Sequence, residues 1–116
     1  MIRGTTPDFI LEIPGWDLTD KTVFVTLSQG VRKITKSNDE LDIRWVDVTP
    51  EGPDDPDHQT EIGFSLTQQD TLMLTVGGGE IQVRFIDENG EAEATDIQPV
   101  SISRVLLEGV IHYAGT

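Results

Sequence analysis

Apolar and polar residues alternate with a period of two along most of this chain, the repeat of a strand with one buried face. In the stretch Lys21 to Gln29, Val23, Val25 and Leu27 share one face, with Phe24 alone on the other. Leu41, Ile43 and Trp45 form a second set, then Val46 and Val48 change phase, which predicts a bulge or an edge near Trp45. Ile62, Phe64 and Leu66 resume the alternation, and Ile81, Val83 and Phe85 show it most cleanly. A shorter apolar run, Phe9 to Ile13, is closed by the turn signal Pro14-Gly15. Gly30 invites a turn into a strand at Val31 to Lys36.

Between these runs the breakers are equally legible. Glu51 to Gln59 holds two prolines and a glycine, and so reads as an exposed acidic loop. Thr67 before Gln68-Gln69-Asp70 has the spacing of a helix N-cap, which predicts one short helix at about 68–74. Gly77-Gly78-Gly79 then reads as a turn, and Asn89-Gly90 as a tight hairpin turn. Ala92 to Thr95 is the expected return strand, its small residues facing inward against a close neighbour. Val100 and Ile102, with Arg104-Val105 as an extension, make the expected last strand, and Gly109 to Tyr113 an apolar tail. Seven to eight short strands with turns every eight to twelve residues predict an all-β, immunoglobulin-like antiparallel sandwich. The expected organisation is an N-terminal arm at 1–7, one domain at 8–104, and a C-terminal tail at 105–116 that can act as a docking arm.

Composition narrows the functional classes. A chain of 116 residues suits one domain, and its β-branched residues far outnumber its three alanines. The opening Met1 to Pro7 lacks the apolar core of a signal peptide, and no apolar run approaches the roughly 18 residues of a membrane span. Eight basic against 21 acidic residues give a net charge of −13. Nucleic acid and anionic membranes are therefore poor partners. With no cysteine there is no disulfide, thiol nucleophile or thiolate metal site.

Candidate chemistry is sparse. The two histidines, His58 and His112, lack a Gly-x-Ser-x-Gly elbow, and paired carboxylates are expected by chance in so acidic a chain. Gly77–Gly79 lacks the Gly-Lys-Ser/Thr ending of a phosphate loop. Glu51, Asp54, Asp55 and Asp57 are a weak Ca²⁺ candidate, because the EF-hand spacing is absent and Pro53 and Pro56 stiffen the loop. The reading therefore expects no cofactor and no catalytic residue. Trp45 reads as core, whereas Trp16 beside Pro14-Gly15 is a candidate for interaction. Leu106, Leu107, Val110, Ile111 and Tyr113 are apolar residues with little domain left to bury them, the mark of a partner surface.

Four segments carry a resemblance. Met1-Ile2-Arg3-Gly4-Thr5-Thr6-Pro7 resembles the opening of small structural proteins encoded by tailed phages and prophages of Gram-positive hosts. Phe64 to Leu72 is similar to that family's strand followed by Thr-Gln-Glu-Asp-Thr-Leu, with Gln69 where Glu is usual. Ile81 to Gly90 is similar to its hairpin, and Leu106 to Ile111 to its ending. The chain also resembles, more faintly, the N-terminal sandwich of phage baseplate upper proteins. The Glu51–Gln59 loop is a departure. The resemblance implies a non-enzymatic virion protein made in the host cytoplasm, docking through its termini on the capsid or the tail/baseplate, with a homo-oligomer possible. Two other classes compete on charge and aromatics: an acidic DNA mimic that inhibits a host defence protein, and a carbohydrate-binding adhesion module using Trp16.

Overall fold

A computed structural model describes residues 1–114, so the last two positions of the expected tail lie outside the described residues. Eight strands form two antiparallel sheets facing each other. The first sheet has the order β1-β5-β4, from Asp8–Pro14, His58–Ser65 and Asp42–Asp47. The second runs β3-β2-β6-β7, from Arg32–Ser37, Thr22–Gln29, Gly77–Ile86 and Ala92–Ala94, with β8 (Gln98–Ile102) also on β6. The expected all-β sandwich is the fold. Its connectivity follows the immunoglobulin plan from strand B onward, with β1, β4 and β5 in one sheet and β2, β3 and β6 in the other.

Every buried inward position of the central strands is apolar or glycine except Thr60. Val23, Val25 and Leu27 of β2 meet Phe85, Val83 and Ile81 of β6 across the ladder, and Leu11, Ile62 and Ile43 line up across the first sheet. Leu18, Leu66 and Leu74, from connecting segments, close the core and are fully buried. Thr60 is the buried polar exception: its hydroxyl donates to the Trp16 carbonyl and accepts from the Leu18 N–H. The first loop is thereby stitched to the first sheet.

Several expectations are corrected. The short helix is where expected, as α1 (Gln68–Leu72) capped by Thr67 and Asp70, and only its end is earlier than 74. Gly77–Gly79 is strand, because β8 lies alongside: a Cβ on Gly79 would sit 3.2 Å from the Ser28 carbonyl oxygen and 3.2 Å from the Ile102 side chain. Asn89 does not take positive φ, so the loop Asp87–Glu91 is not a two-residue Asn-Gly turn. Asp87 instead accepts the backbone N–H groups of Asn89 and Glu91, and Gly90 alone is left-handed at φ 83°. β7 is exposed throughout, so its alanines do not face inward. Near Trp45 the ladder is unbroken from Asp42 to Asp47, so of the two expected alternatives the edge holds and the bulge does not.

The bulge lies elsewhere. Between the pairs Arg84↔Ala94 and Ile81↔Gln98, three residues of the outer strand oppose two of β6. Val83 donates its N–H to the Thr95 hydroxyl, and Gln82 Nε2 donates to the Thr95 carbonyl. The last strand ends at Ile102, short of Arg104-Val105. Residues 1–7 are not a free arm. Ile2 bridges Ser103 in parallel, Ser103 N–H donates to the Met1 carbonyl and Arg3 N–H to the Ser103 carbonyl, and Met1 packs on the core.

Candidate functional site

The two ends of the sandwich carry different chemistry. At one end α1, the first residues and the tail meet. Arg3 is the junction: Nε donates to the Leu74 carbonyl (2.5 Å), Nη2 to the Leu72 carbonyl (3.0 Å) and Nη1 to Glu108 Oε1 (2.6 Å). The guanidinium thus satisfies carbonyls at the end of α1, where a cation is favoured, and holds the tail by its one acid. A second clip lies further along. Gln68 Nε2 donates to the Ile111 carbonyl (3.0 Å), and Ile111 N–H donates to Gln68 Oε1 (2.8 Å). One side-chain amide therefore matches both backbone groups of Ile111, as a neighbouring strand would.

Asp70 steadies this end from below. Burial works to raise its carboxyl, but the Thr67 backbone N–H, the Lys36 ammonium at 3.0 Å and the Thr67 hydroxyl outweigh it and hold the group below the usual carboxylate range.

These polar clips leave the tail's apolar side chains outside. Leu106 is 89% exposed, Leu107 70% and Tyr113 84%, with Ile111 also exposed. Val110 is turned toward a shallow groove bordered by Leu66 and Gln69. The structure thus places the five expected tail residues along one backbone-pinned segment; Trp16, the sixth expected contact residue, lies at the other end beside β5.

At that opposite end Trp16 packs edge-on against Phe85, ring centroids 5.0 Å apart, and remains half-exposed. Trp45 corrects the core expectation. It lies on the inward face opposite Thr60, yet is 38% exposed and does not belong to the core. Its indole stacks on His58 instead, at 5.2 Å and 9°. His58 in turn has Nδ1 2.8 Å from Asp57 Oδ1 and Nε2 2.5 Å from Asp47 Oδ1.

A neutral imidazole has one donor nitrogen, so two carboxylate partners favour the doubly protonated ring. The hydrogen bond to Asp57 raises the His58 pKa above its ordinary value; desolvation opposes this, and the charges of Asp57 and Asp47 reinforce it. Asp57 is lowered by the same hydrogen bond. Because the folded pKa is raised, this contact contributes fully below the unfolded value of about 6.5 and is lost as pH rises through the folded one. NMR titration of the His58 ring should give a midpoint above about 6.5 that falls in Asp57→Asn. A wild-type midpoint at or below the free-histidine value would refute the double clamp.

The acidic loop gathers no cation cage. Glu51, Asp54, Asp55 and Asp57 are all exposed, and among the described residues no group of three or more His, Cys, Asp or Glu is placed to hold a metal. Sequence reasoning missed Arg3, Gln68 and the His58 clamp. The available signals were a cation beside apolar Ile2, and a tryptophan and a histidine each at the loop-side end of a strand. No family model, curated protein or solved structure matches this chain.

Proposed function

We propose that this chain is a non-enzymatic structural protein of a tailed-phage virion, an accessory that docks on the capsid or the tail/baseplate through its C-terminal segment. The observation that carries the docking part is the inversion at the tail. The segment is fixed to the domain by the Glu108 side chain and the Ile111 backbone, while Leu106, Leu107, Ile111 and Tyr113 face solvent. An apolar ridge held in place binds with less ordering cost than a free peptide. The virion part rests on the four resembling segments, two of which, the opening and the ending, meet at Arg3 and Glu108.

Immunogold labelling of purified particles tests this reading. Label over heads would indicate a capsid accessory, and label at tail tips a baseplate position. Unlabelled particles would refute the virion role and bring forward an acidic inhibitor of a host nucleic-acid enzyme.

A further inference from the structure

An open seam runs between the edge of β1 and the bulged edge formed by β7 and β8. Strand β1 pairs with β5 alone among the described strands. The phase of that ladder is set by two flanking bonds, Leu66 N–H to the Pro7 carbonyl (3.1 Å) and Gly15 N–H to the His58 carbonyl (3.0 Å). Phe9, Leu11 and Ile13 therefore bond to β5, and the N–H and C=O groups of Ile10 and Glu12 point outward at the free edge. Edges are ordinarily guarded by lysine, proline or a bulge. β3 has Arg32 and Lys33, and the other seam wall has Pro99 and the bulge. β1 has a proline only at its last residue, Pro14, and neither lysine nor bulge before it, so the edge at Ile10 and Glu12 stays open, and Ile10 is 63% exposed.

Across from it, Met1–Arg3 covers only the far end of β8, at Ser101–Ser103. Below that point a cleft of about 180 Å³ remains, floored by Leu11, Ile13, Ile81 and Val83 and rimmed by Glu12 and Asp96. The volume is under the roughly 300–1,000 Å³ of small-molecule sites. What fits an unpaired edge above a narrow apolar slot is an added strand.

We propose that this seam takes up an extended peptide segment of a partner protein, which pairs with β1 at Ile10 and Glu12, places alternate apolar side chains in the slot, and carries Lys or Arg on the outward positions. The basic character follows from the Glu12–Asp96 rim on a chain of net charge −13. The chain's own tail is not the occupant, since Glu108 and Ile111 hold it at α1. A second copy is disfavoured by like charge. The inference does not depend on the virion reading, because it concerns a different face from the tail.

The test pans the full chain against a displayed library of linear nine-residue peptides. Selected peptides should alternate apolar residues with Lys or Arg. Glu12→Pro removes the outward N–H without touching the β1–β5 bonds and should weaken those peptides about tenfold. Glu12→Lys keeps the backbone edge and should shift the selected outward positions from basic to acidic, a readout independent of how the proline variant folds. Selection of no alternating class, or unchanged affinity and preference in both variants, would overturn the proposal. So would concentration-dependent self-association abolished by Glu12→Pro, which would make a second copy the occupant.

Discussion

Replacing Ile62 by alanine should destabilise the domain by about 2–5 kcal/mol, as large-to-small substitutions in packed cores do. Ile62 sits mid-way along β5, the central strand of the smaller sheet, between Leu11 and Ile43, and is fully buried. With a strand on each side and the second sheet facing it, the site has little room to collapse into the vacated space. Domains of this size are stable by only about 5–15 kcal/mol, so a third of the total is at stake. Urea denaturation should show a lower midpoint at unchanged slope. The control is Ile10→Ala, one position before Ile62's partner Leu11 and so on the outer face, where a change within about 0.5 kcal/mol is expected. Equal losses at the two positions would mean that strand propensity, and not burial, decides the stability of this sheet.

That contrast shows what alternation reveals and what it hides. The faces of β2, β5 and β6 were legible because each strand is covered along its inward side, so a period of two translates directly into burial. Trp45 has the same phase as Ile43 and is still half-exposed, because parity assigns a face and says nothing of whether anything covers it. The three glycines at 77–79 mislead for a related reason. Locally they suit a turn, and only the approach of Val100 and Ile102, some 20 residues later, makes the missing side chain at Gly79 a requirement of the strand.

The candidate sites were legible in proportion to how local they are. The tail's apolar residues fall within eight positions and the Thr67–Asp70 cap within four, so both are legible locally. Arg3 joins Leu72, Leu74 and Glu108, and Gln68 joins Ile111, across separations that no window along the chain spans. Such polar clips leave no periodic signature. The seam is harder still, since it exists only where two strand edges from different sheets face each other. Its sole trace in the sequence is the lack of a guarding lysine between Asp8 and Ile13.

If the chain docks on a virion as proposed, deleting residues 106–116 should leave the domain folded and remove the protein from particles. The tail's polar attachments are few. Glu108 is the exposed partner of Arg3, and ion pairs of that kind contribute about 0.2–1 kcal/mol. The two bonds between Gln68 and Ile111 lie in solvent and add a similar net amount. Arg3 keeps its bonds to the Leu72 and Leu74 carbonyls without the tail, so the end of α1 stays satisfied. The total loss should therefore be about 1–2 kcal/mol, a shift in Tm of several degrees with an unchanged circular dichroism spectrum. Docking should fail outright, because the truncation takes away the whole ridge. A paired Leu106→Glu, Leu107→Glu variant separates the two effects: both clips remain, stability should match the parent, and particle labelling should still be lost. An unfolded truncated chain would assign the tail to the core. Folded variants that still label particles at the parental level would move the docking surface off the tail, leaving the β1 seam as the face on which a partner is held.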